Sequence, residues 1–551
     1  MHFLRHLVSN RGNSLRLLTP YVRGNKGKLT GAGALLLCYS ALTVLPSLVM
    51  QLLIDDGFGT GRLNIIILLA VSLVVIAGAQ SLLSVSAAKL LARVGQSIVS
   101  DFRGALVSRA LSMPTDWLSD KDDGYIASRI NEANNVSSLF SQTSFTFLSS
   151  ILQAMVAVSL MASTDVRILL FAMLPIPVYA AYAVHSVRKY RVAMAEAFEA
   201  GAQLAGRTTE AVASREEAKI NASSAYGTKR VDRANRLFRD KSIRQAVLAS
   251  VTGESMKVLT TASAALVYIV CGVLMGDSRL SLGQIVASVQ YASYLYSPFL
   301  VAVSVSISLQ PALAALDRIA GVFPADSPAY GAPIMMRTEP TEIEIRDLSF
   351  RWGGGDRILF GGLNANLVRP SLVLIKGANG SGKTTLAKIL LGSIQNWSGS
   401  ILVDGIPLKS IATDSWKGYC SAVSQHPFLL NASIRENVSF GIEKMDEEAY
   451  ERALHLSGLD EIISRLPEGE LTEVGPAASR LSGGERQKVA IARAVLRGAS
   501  ILIFDEPASG LDELSRTRLI GLLRTLSRDR LVIVIDHENL FNDIATSTIC
   551  L

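Results

Sequence analysis

Six stretches of this chain carry no charged residue over lengths that can cross a bilayer. They lie between Lys28 and Asp55, Arg62 and Lys89, and Glu132 and Asp165, then between Arg167 and Arg188, Lys257 and Asp277, and Arg279 and Asp317. Each holds about 19 residues or more, close to the ~20 that a helix needs to span the hydrocarbon layer. The pattern predicts six membrane-spanning helices. Any single run could be a buried core helix, but six in one chain do not fit that reading. The connectors alternate in length. Asp55–Arg62, Asp165–Arg167 and Asp277–Arg279 are short, whereas Lys89–Glu132 and Arg188–Lys257 are long and rich in Lys and Arg. The excess of basic residues places the long connectors and both termini in the cytoplasm. Glu196–Glu217 and Tyr226–Arg244 look helical, so helices are expected to leave the membrane, turn and return. Pro175 and Pro177 in the fourth run, and Pro298 in the sixth, are expected to kink or unwind their helices.

No run has an acidic residue, Lys or Arg at its centre, so an ion relay inside the membrane is not supported. Gln290, Tyr291, Tyr294 and Tyr296 form a polar-aromatic cluster in the sixth run. It reads first as helix packing and an interfacial belt, and alternatively as one wall of a substrate cavity. Between Phe323 and Pro340 the composition changes, and Pro324, Pro328, Gly331, Pro333 and Pro340 mark a linker. The expected organisation is a basic cytoplasmic segment over 1–28, a six-helix all-α transmembrane domain over 29–320, a linker over 321–340 and an α/β domain over 341–551.

Composition agrees with that division. Of 551 residues, 49% are hydrophobic and 18% are charged, against about 25% charged in a typical soluble domain. An ordinary soluble enzyme, a disordered chain and a fibrous repeat are excluded. The net charge of +7 is uneven: residues 1–340 hold 31 Lys and Arg against 21 Asp and Glu, and the remainder 23 against 26. A basic membrane half and a mildly acidic second half argue against a nucleic-acid partner. Arg5, Arg11, Arg16, Arg23, Lys26 and Lys28 break up the start of the chain, so a cleavable signal peptide is not expected. Cys38, Cys271, Cys420 and Cys550 stand at no metal or redox spacing and read as reduced packing residues.

The second half carries the chemistry. Ser371–Lys376 reads as a buried strand running into Gly377-Ala378-Asn379-Gly380-Ser381-Gly382-Lys383-Thr384 and the apolar-periodic helix Thr385–Leu391. This is a P-loop in the context it requires. Small residues let backbone N–H groups wrap a phosphate, and the helix N-terminus adds partial positive charge. Lys383 can reach the β- and γ-phosphates of ATP, and Thr384 can ligate Mg²⁺. A second apolar strand, Ile501–Phe504, ends in Asp505-Glu506. Asp505 reads as the Mg²⁺ partner and Glu506 as the base for the attacking water. Leu481-Ser482-Gly483-Gly484-Glu485 opens a helix through Leu496 and offers another anion site.

This order of motifs resembles the nucleotide-binding domain of ABC transporters, whose signature usually reads Leu-Ser-Gly-Gly-Gln. The resemblance implies further roles. Trp352, in Phe350-Arg351-Trp352, would stack on adenine, beside the P-loop residues 377–385. Gln425, in Val423-Ser424-Gln425, would contact Mg²⁺ and the water. Thr472-Glu473-Val474-Gly475 is similar to the loop by which exporters sense the membrane domain. Ser509-Gly510-Leu511-Asp512 is similar to the D-loop, and Asp536-His537 places His537 as the switch histidine on the γ-phosphate. Met113–Arg129, with Trp117 and Gly124, and Thr208–Tyr226 resemble the two coupling segments of exporters. The fold class implied is a multidomain membrane protein, a half-transporter with an α/β P-loop domain of the ABC type. Glu485, Pro476 and Pro507 depart from the usual residues, and the chain ends at Leu551 where family domains usually continue, which could leave a sheet edge open.

The resemblance implies an ATP hydrolase driving transport in a bacterial inner membrane, with ATP and Mg²⁺ as cofactors. Each ATP would lie between the P-loop of one chain and Leu481–Glu485 of another, so a homodimer is the economical partner, with a paralogous half-transporter as the alternative. The cargo classes are an amphipathic or apolar peptide, siderophore-like metabolite or lipid. The rival function is an ATP-gated channel or a regulator of another protein.

Overall fold

The computed structural model describes residues 15–114, 117, 123–221, 223–276, 280–323, 334–352 and 358–551. Residues 1–14 of the basic segment, 324–333 of the linker and most of 115–122 in the first coupling segment lie outside the described residues. The chain divides into two compact units, 1–111 with 123–325, and 112–122 with 326–551.

The first unit is helical and contains six candidate membrane spans. Helix α1 (Lys26–Leu52) continues into one π turn, Leu53–Phe58. Helix α2 (Leu63–Ser112) follows and exposes Leu68, Val74 and Leu82 by about seven-tenths each. Such an apolar face needs lipid or a second protein surface to cover it. The third span departs from its charge-free run. Glu132–Phe140 forms a 3₁₀ helix, Ser141 is extended, and α3 (Gln142–Thr164) begins only then. Asn134 and Asn135 are poor helix formers, and the Ser137 and Ser138 hydroxyls donate to their carbonyls, offering the backbone a tighter turn. The 23 residues of α3 remain long enough to span. The fourth run divides at Leu174-Pro175 into α4 (Val166–Met173) and α5 (Ile176–Ala213), because Pro175 has no N–H to continue the ladder. A short helix, Arg215–Ile220, caps the return into α6 (Ser224–Gly276). Helix α7 (Leu282–Val322) stays helical through Pro298 and Pro311; of the two expected outcomes at Pro298, kink or unwinding, unwinding does not occur.

The second unit holds two sheets. Strands β1 (Glu342–Phe350), β2 (Phe360–Val368), β4 (Ser398–Val403) and β5 (Ile406–Pro407) form an antiparallel sheet in the order β2-β1-β4-β5. Strands β3 (Ser371–Lys376), β6 (Cys420–Val423), β7 (Ile501–Asp505), β8 (Leu531–Ile535) and β9 (Ser547–Cys550) form a parallel sheet in the order β6-β7-β8-β3-β9. All five residues of β7 and of β8 are buried, as continuous apolar runs require when helices cover both faces. On one face Ile375, Ile503 and Ile533 pack with Leu386 and Trp416, and on the other Leu374, Phe504 and Val534 pack with Ile491 and Leu523. Of the four cysteines, Cys271 and Cys420 are packed, while Cys38 and Cys550 are exposed.

One glycine fixes the bulge that precedes Trp352. Gly399 has φ +89°, and a Cβ there would lie 2.3 Å from the Asp347 carbonyl oxygen. Gly399→Ala is expected to cost about 2–5 kcal/mol, combining left-handed strain with a backbone clash. Urea unfolding of the purified chain would show it as a lower midpoint, and an unchanged midpoint would refute the packing argument.

Candidate active site

Four neighbouring parallel strands deliver their carboxyl ends to one place. In open α/β sheets, ligands bind outside the carboxyl ends of the strands. β3 leads into the P-loop, β6 towards Gln425, β7 into Asp505-Glu506 and β8 into Asp536-His537. Helix α8 (Lys383–Leu390) opens directly from the loop. Gly382 stands before it at φ +104°, where a Cβ would press to within 2.9 Å of Leu359 and Phe360, so the tight turn needs glycine.

The Lys383 ammonium is nearly buried and donates to the carbonyls of Gly377 at 2.9 Å and Ala378 at 3.1 Å. Ala378, Asn379 and Gly380 are exposed at the rim of the loop, and Thr385 is buried beneath it. The Ser381 hydroxyl is buried with no hydrogen-bond partner among the described residues, as expected of a cradle whose ligand supplies the acceptor. The Thr384 hydroxyl donates to Asp505 Oδ2 at 2.7 Å. Burial pushes the Asp505 carboxyl above the usual carboxylate range.

Glu506 is hydrogen-bonded at one oxygen and faces an imidazole at the other. The Gln425 amide donates to Oε2 at 2.7 Å, and His537 Nδ1 lies 3.5 Å from Oε1. Glu506 adopts φ +49°, unusual for a residue with a Cβ and costing of order 1–3 kcal/mol. Strain of that kind directs a side chain away from the strand's normal alternation. The neighbouring Asp536 is also buried, which raises its pKa, and its Oδ2 has no hydrogen-bond partner among the described residues. Trp352 lies edge-on to Phe350, with ring centroids 5.2 Å apart, and is partly exposed.

The motif Leu481–Glu485 belongs to a different element, the start of α9 (Gly483–Leu496). Leu481 is buried, and Ser482 caps the helix in a reciprocal box with Glu485. The Glu485 carboxylate accepts from Ser482 N at 2.7 Å, while Ser482 Oγ accepts from Glu485 N at 3.3 Å. Glu and Gln complete this box equally well, so the departure at Glu485 keeps the cap. Gly484 packs against the D-loop, where a Cβ would meet Gly510 O at 2.9 Å. Leu511 is buried, and Asp512 caps α10 (Glu513–Leu526) through Ser515 N at 2.7 Å. That backbone bond holds the Asp512 carboxyl below its ordinary range.

The tyrosine cluster is packed into the membrane unit. Tyr291 and Tyr296 are buried, Tyr296 donates to Ala172 O and stacks on Tyr179 at 4.6 Å, and Tyr294 donates to Thr43 O. Gln290 is exposed. The motifs pass over one further residue. Arg493 on α9 donates to Asn437 O at 2.8 Å and Phe428 O at 3.1 Å, joining the signature helix to the segment that follows Gln425. The only sequence signal is a cation inside the apolar stretch Val489–Val495. Arg493→Met strands two carbonyls and is expected to cost about 2–3 kcal/mol. Arg493→Lys should recover little of it, since one ammonium does not reproduce the fork. Thermal melts of the three chains compare them directly.

A P-loop, an acid pair and a hydrogen-bonded glutamate on one sheet, joined in sequence to six apolar spans, define a multi-pass membrane protein with a P-loop domain. Comparison with known proteins gives the family. Residues 30–299 match the ABC transporter transmembrane region and residues 360–509 match the ABC transporter family. The chain belongs to the ABC transporters, with the transmembrane domain fused ahead of the nucleotide-binding domain, in the half-transporter arrangement of exporters. It is 25% identical over 493 residues to the ATP-dependent lipid A-core flippase of Albidiferax ferrireducens, covering 89% of this chain and 85% of that one. It is 24% identical over 529 residues to the transport/processing ATP-binding protein ComA of Streptococcus pneumoniae, covering 96% and 73%. A shorter match, 34% over 242 residues, joins 44% of this chain to 42% of the mycobactin import ATP-binding/permease protein IrtB of Mycolicibacterium thermoresistibile. The fold matches a bacterial Atm1-family ABC exporter solved with ATP bound, with a TM-score of 0.86 over 96% of this chain and 93% of that one, at 19% identity.

Proposed function

We propose that this ABC exporter hydrolyses ATP as a homodimer and uses the closure of its nucleotide domains to move an amphipathic or apolar cargo across the membrane. The observation that carries the proposal is the grip of Gln425 and His537 on Glu506, at the end of the strand that also presents Asp505 to Thr384. Lys383 and the loop N–H groups would hold the phosphates, Ser381 would donate its free hydroxyl to them, and Trp352 would cover the base. Among the described residues no cluster of three or more His, Cys, Asp or Glu could hold a metal alone. Thr384 and Asp505, with Gln425 nearby, fit Mg²⁺, which usually shares its shell with phosphate and water. When bound, Mg²⁺ would neutralise phosphate charge. Glu506 would take the proton of the attacking water, oriented by Gln425, and His537 would hold the carboxylate in place. The signature at Ser482–Glu485 would act on the partner's ATP.

The basic long connectors support a cytoplasmic nucleotide domain, with the three short turns on the opposite side. The absence of charge in the middle of the spans supports an apolar or amphipathic cargo. The names of the relatives span a lipid A-core flippase, a transport/processing protein and a mycobactin importer, so the cargo class is what the test must vary. The test is ATP hydrolysis by the purified single chain in lipid nanodiscs, with lipids and apolar peptides added in turn. Steady hydrolysis, stimulated at least twofold by one class, is expected. No hydrolysis by the chain alone would replace the homodimer with a paralogous partner.

A further inference from the structure

Helices α1 and α7 meet along a seam that ends in a polar clasp. Residues four apart stack on one face of a helix, so Thr43, Ser47 and Gln51 follow one another along α1. The Tyr294 hydroxyl donates to Thr43 O at 2.9 Å, and Ser47 is buried. A Cβ at Gly283 would lie 2.5 Å from Gln51 O, so only glycine admits the start of α7 this close. Past Gln51, the π turn Leu53–Phe58 carries Asp55 to the end of the seam. Asp55 Oδ1 accepts from Gly283 N at 2.9 Å, and Oδ2 accepts from the Ser281 hydroxyl at 2.5 Å. Ser281 is the N-cap of α7 and forms a reciprocal capping box with Gln284. One carboxylate thus closes the free N–H end of one span from the last turn of another.

Two features mark this contact as reversible. It joins the π turn that ends α1 to the first turn of α7, at the rim of the membrane unit. There water can take over each partner as the contact opens, so parting it leaves no polar group stranded. The π turn is also a local register defect that a return to α geometry can relax, and such turns concentrate at functional sites. Further along the seam, α7 is held instead by buried packing around Tyr291 and Tyr296.

We propose that Asp55 is the positioning residue of a rim gate: it holds the α1–α7 seam shut, and the seam parts at this clasp when cargo leaves. The inference rests on the ATP-driven export proposed above. A reporter thiol at Ser47→Cys, in a chain whose Cys38, Cys271, Cys420 and Cys550 are replaced by Ser or Ala, samples the seam. A membrane-impermeant maleimide is applied to right-side-out vesicles. Without nucleotide, Asp55→Ala is expected to label at least about tenfold faster, the population shift that losing a hydrogen bond to a charged group produces. Ser281→Ala, which removes one bond and spares the backbone, should fall between. With ATP and Mg²⁺ loaded inside and Glu506→Gln present to retain them, the chain with Asp55 intact should label as fast as Asp55→Ala. Equal rates for Asp55→Ala, Ser281→Ala and the parent would overturn the clasp. ATP retained without faster labelling would make the contact a permanent strut and overturn the gate. Failure to retain ATP would count against the proposed ATP cycle instead, while the nucleotide-free comparison still decides the clasp.

Discussion

Glu506→Gln is expected to lower steady-state ATP hydrolysis by about 10²- to 10⁴-fold, the usual contribution of a positioned general base, while ATP binding stays within a few-fold of the parent. The substitution removes the basic oxygen and little else. A Gln side chain has the same length, and its carbonyl oxygen can still accept from the Gln425 amide that now lies 2.7 Å from Oε2. The strained φ of +49° remains, so the side chain keeps its direction. Asp505, Thr384 and Lys383, the residues proposed to hold the nucleotide, are untouched. Glu506→Asp makes the complementary test. It keeps the charge but shortens the reach, losing both Gln425 and His537, and should fall nearly as far. Single-turnover hydrolysis beside equilibrium binding of a fluorescent ATP analogue separates the two effects. Hydrolysis by Glu506→Gln above about a tenth of the parent rate would move the base elsewhere, and Asp536, buried with a free oxygen, would be the next candidate.

Parts of this molecule are legible residue by residue and others are not. Strands β3 and β8 coincide with the apolar runs Ser371–Lys376 and Leu531–Ile535 because a strand covered on both faces must be apolar throughout. The six spans follow from charge alone, since a charge is costly at the bilayer centre. The 3₁₀ stretch Glu132–Phe140 escapes that logic. It is charge-free after Glu132 and passes the length test, and only the local hydrogen bonding of Asn134, Asn135, Ser137 and Ser138 shows that it is not α. The residues around Glu506 lie in three separate segments, yet each is marked by its place after a buried strand. Arg493 has no such marker, because its partners are backbone carbonyls, which every residue possesses. The Asp55 clasp is hidden for a related reason: 226 residues separate Asp55 from Ser281, and nothing in either local sequence names the other.

Lys383→Ala should fail at an earlier step than Glu506→Gln, and the contrast between them identifies the two halves of the site. Lys383 is 7% exposed and its ammonium donates to two loop carbonyls. Those carbonyls lie in the loop that must present its N–H groups to phosphate, so Lys383 both neutralises charge and pins the loop. Hydrogen bonds to charged groups contribute roughly 1.5–3 kcal/mol each, so losing one to a phosphate is expected to weaken ATP binding by about 10- to 100-fold. Stabilisation of the charge that develops in the transition state is lost as well, worth a further 10²- to 10³-fold in rate by analogy with other preorganised donors. Lys383→Arg does not rescue, because a planar guanidinium needs a wider slot than a nearly buried ammonium occupies. Titration with the fluorescent analogue should therefore show weak binding for both Lys383 variants and near-parental binding for Glu506→Gln, although all three hydrolyse poorly. Parental affinity in Lys383→Ala would mean that the backbone cradle and Thr384 hold the phosphates unaided, and that the lysine acts only on the bond being broken.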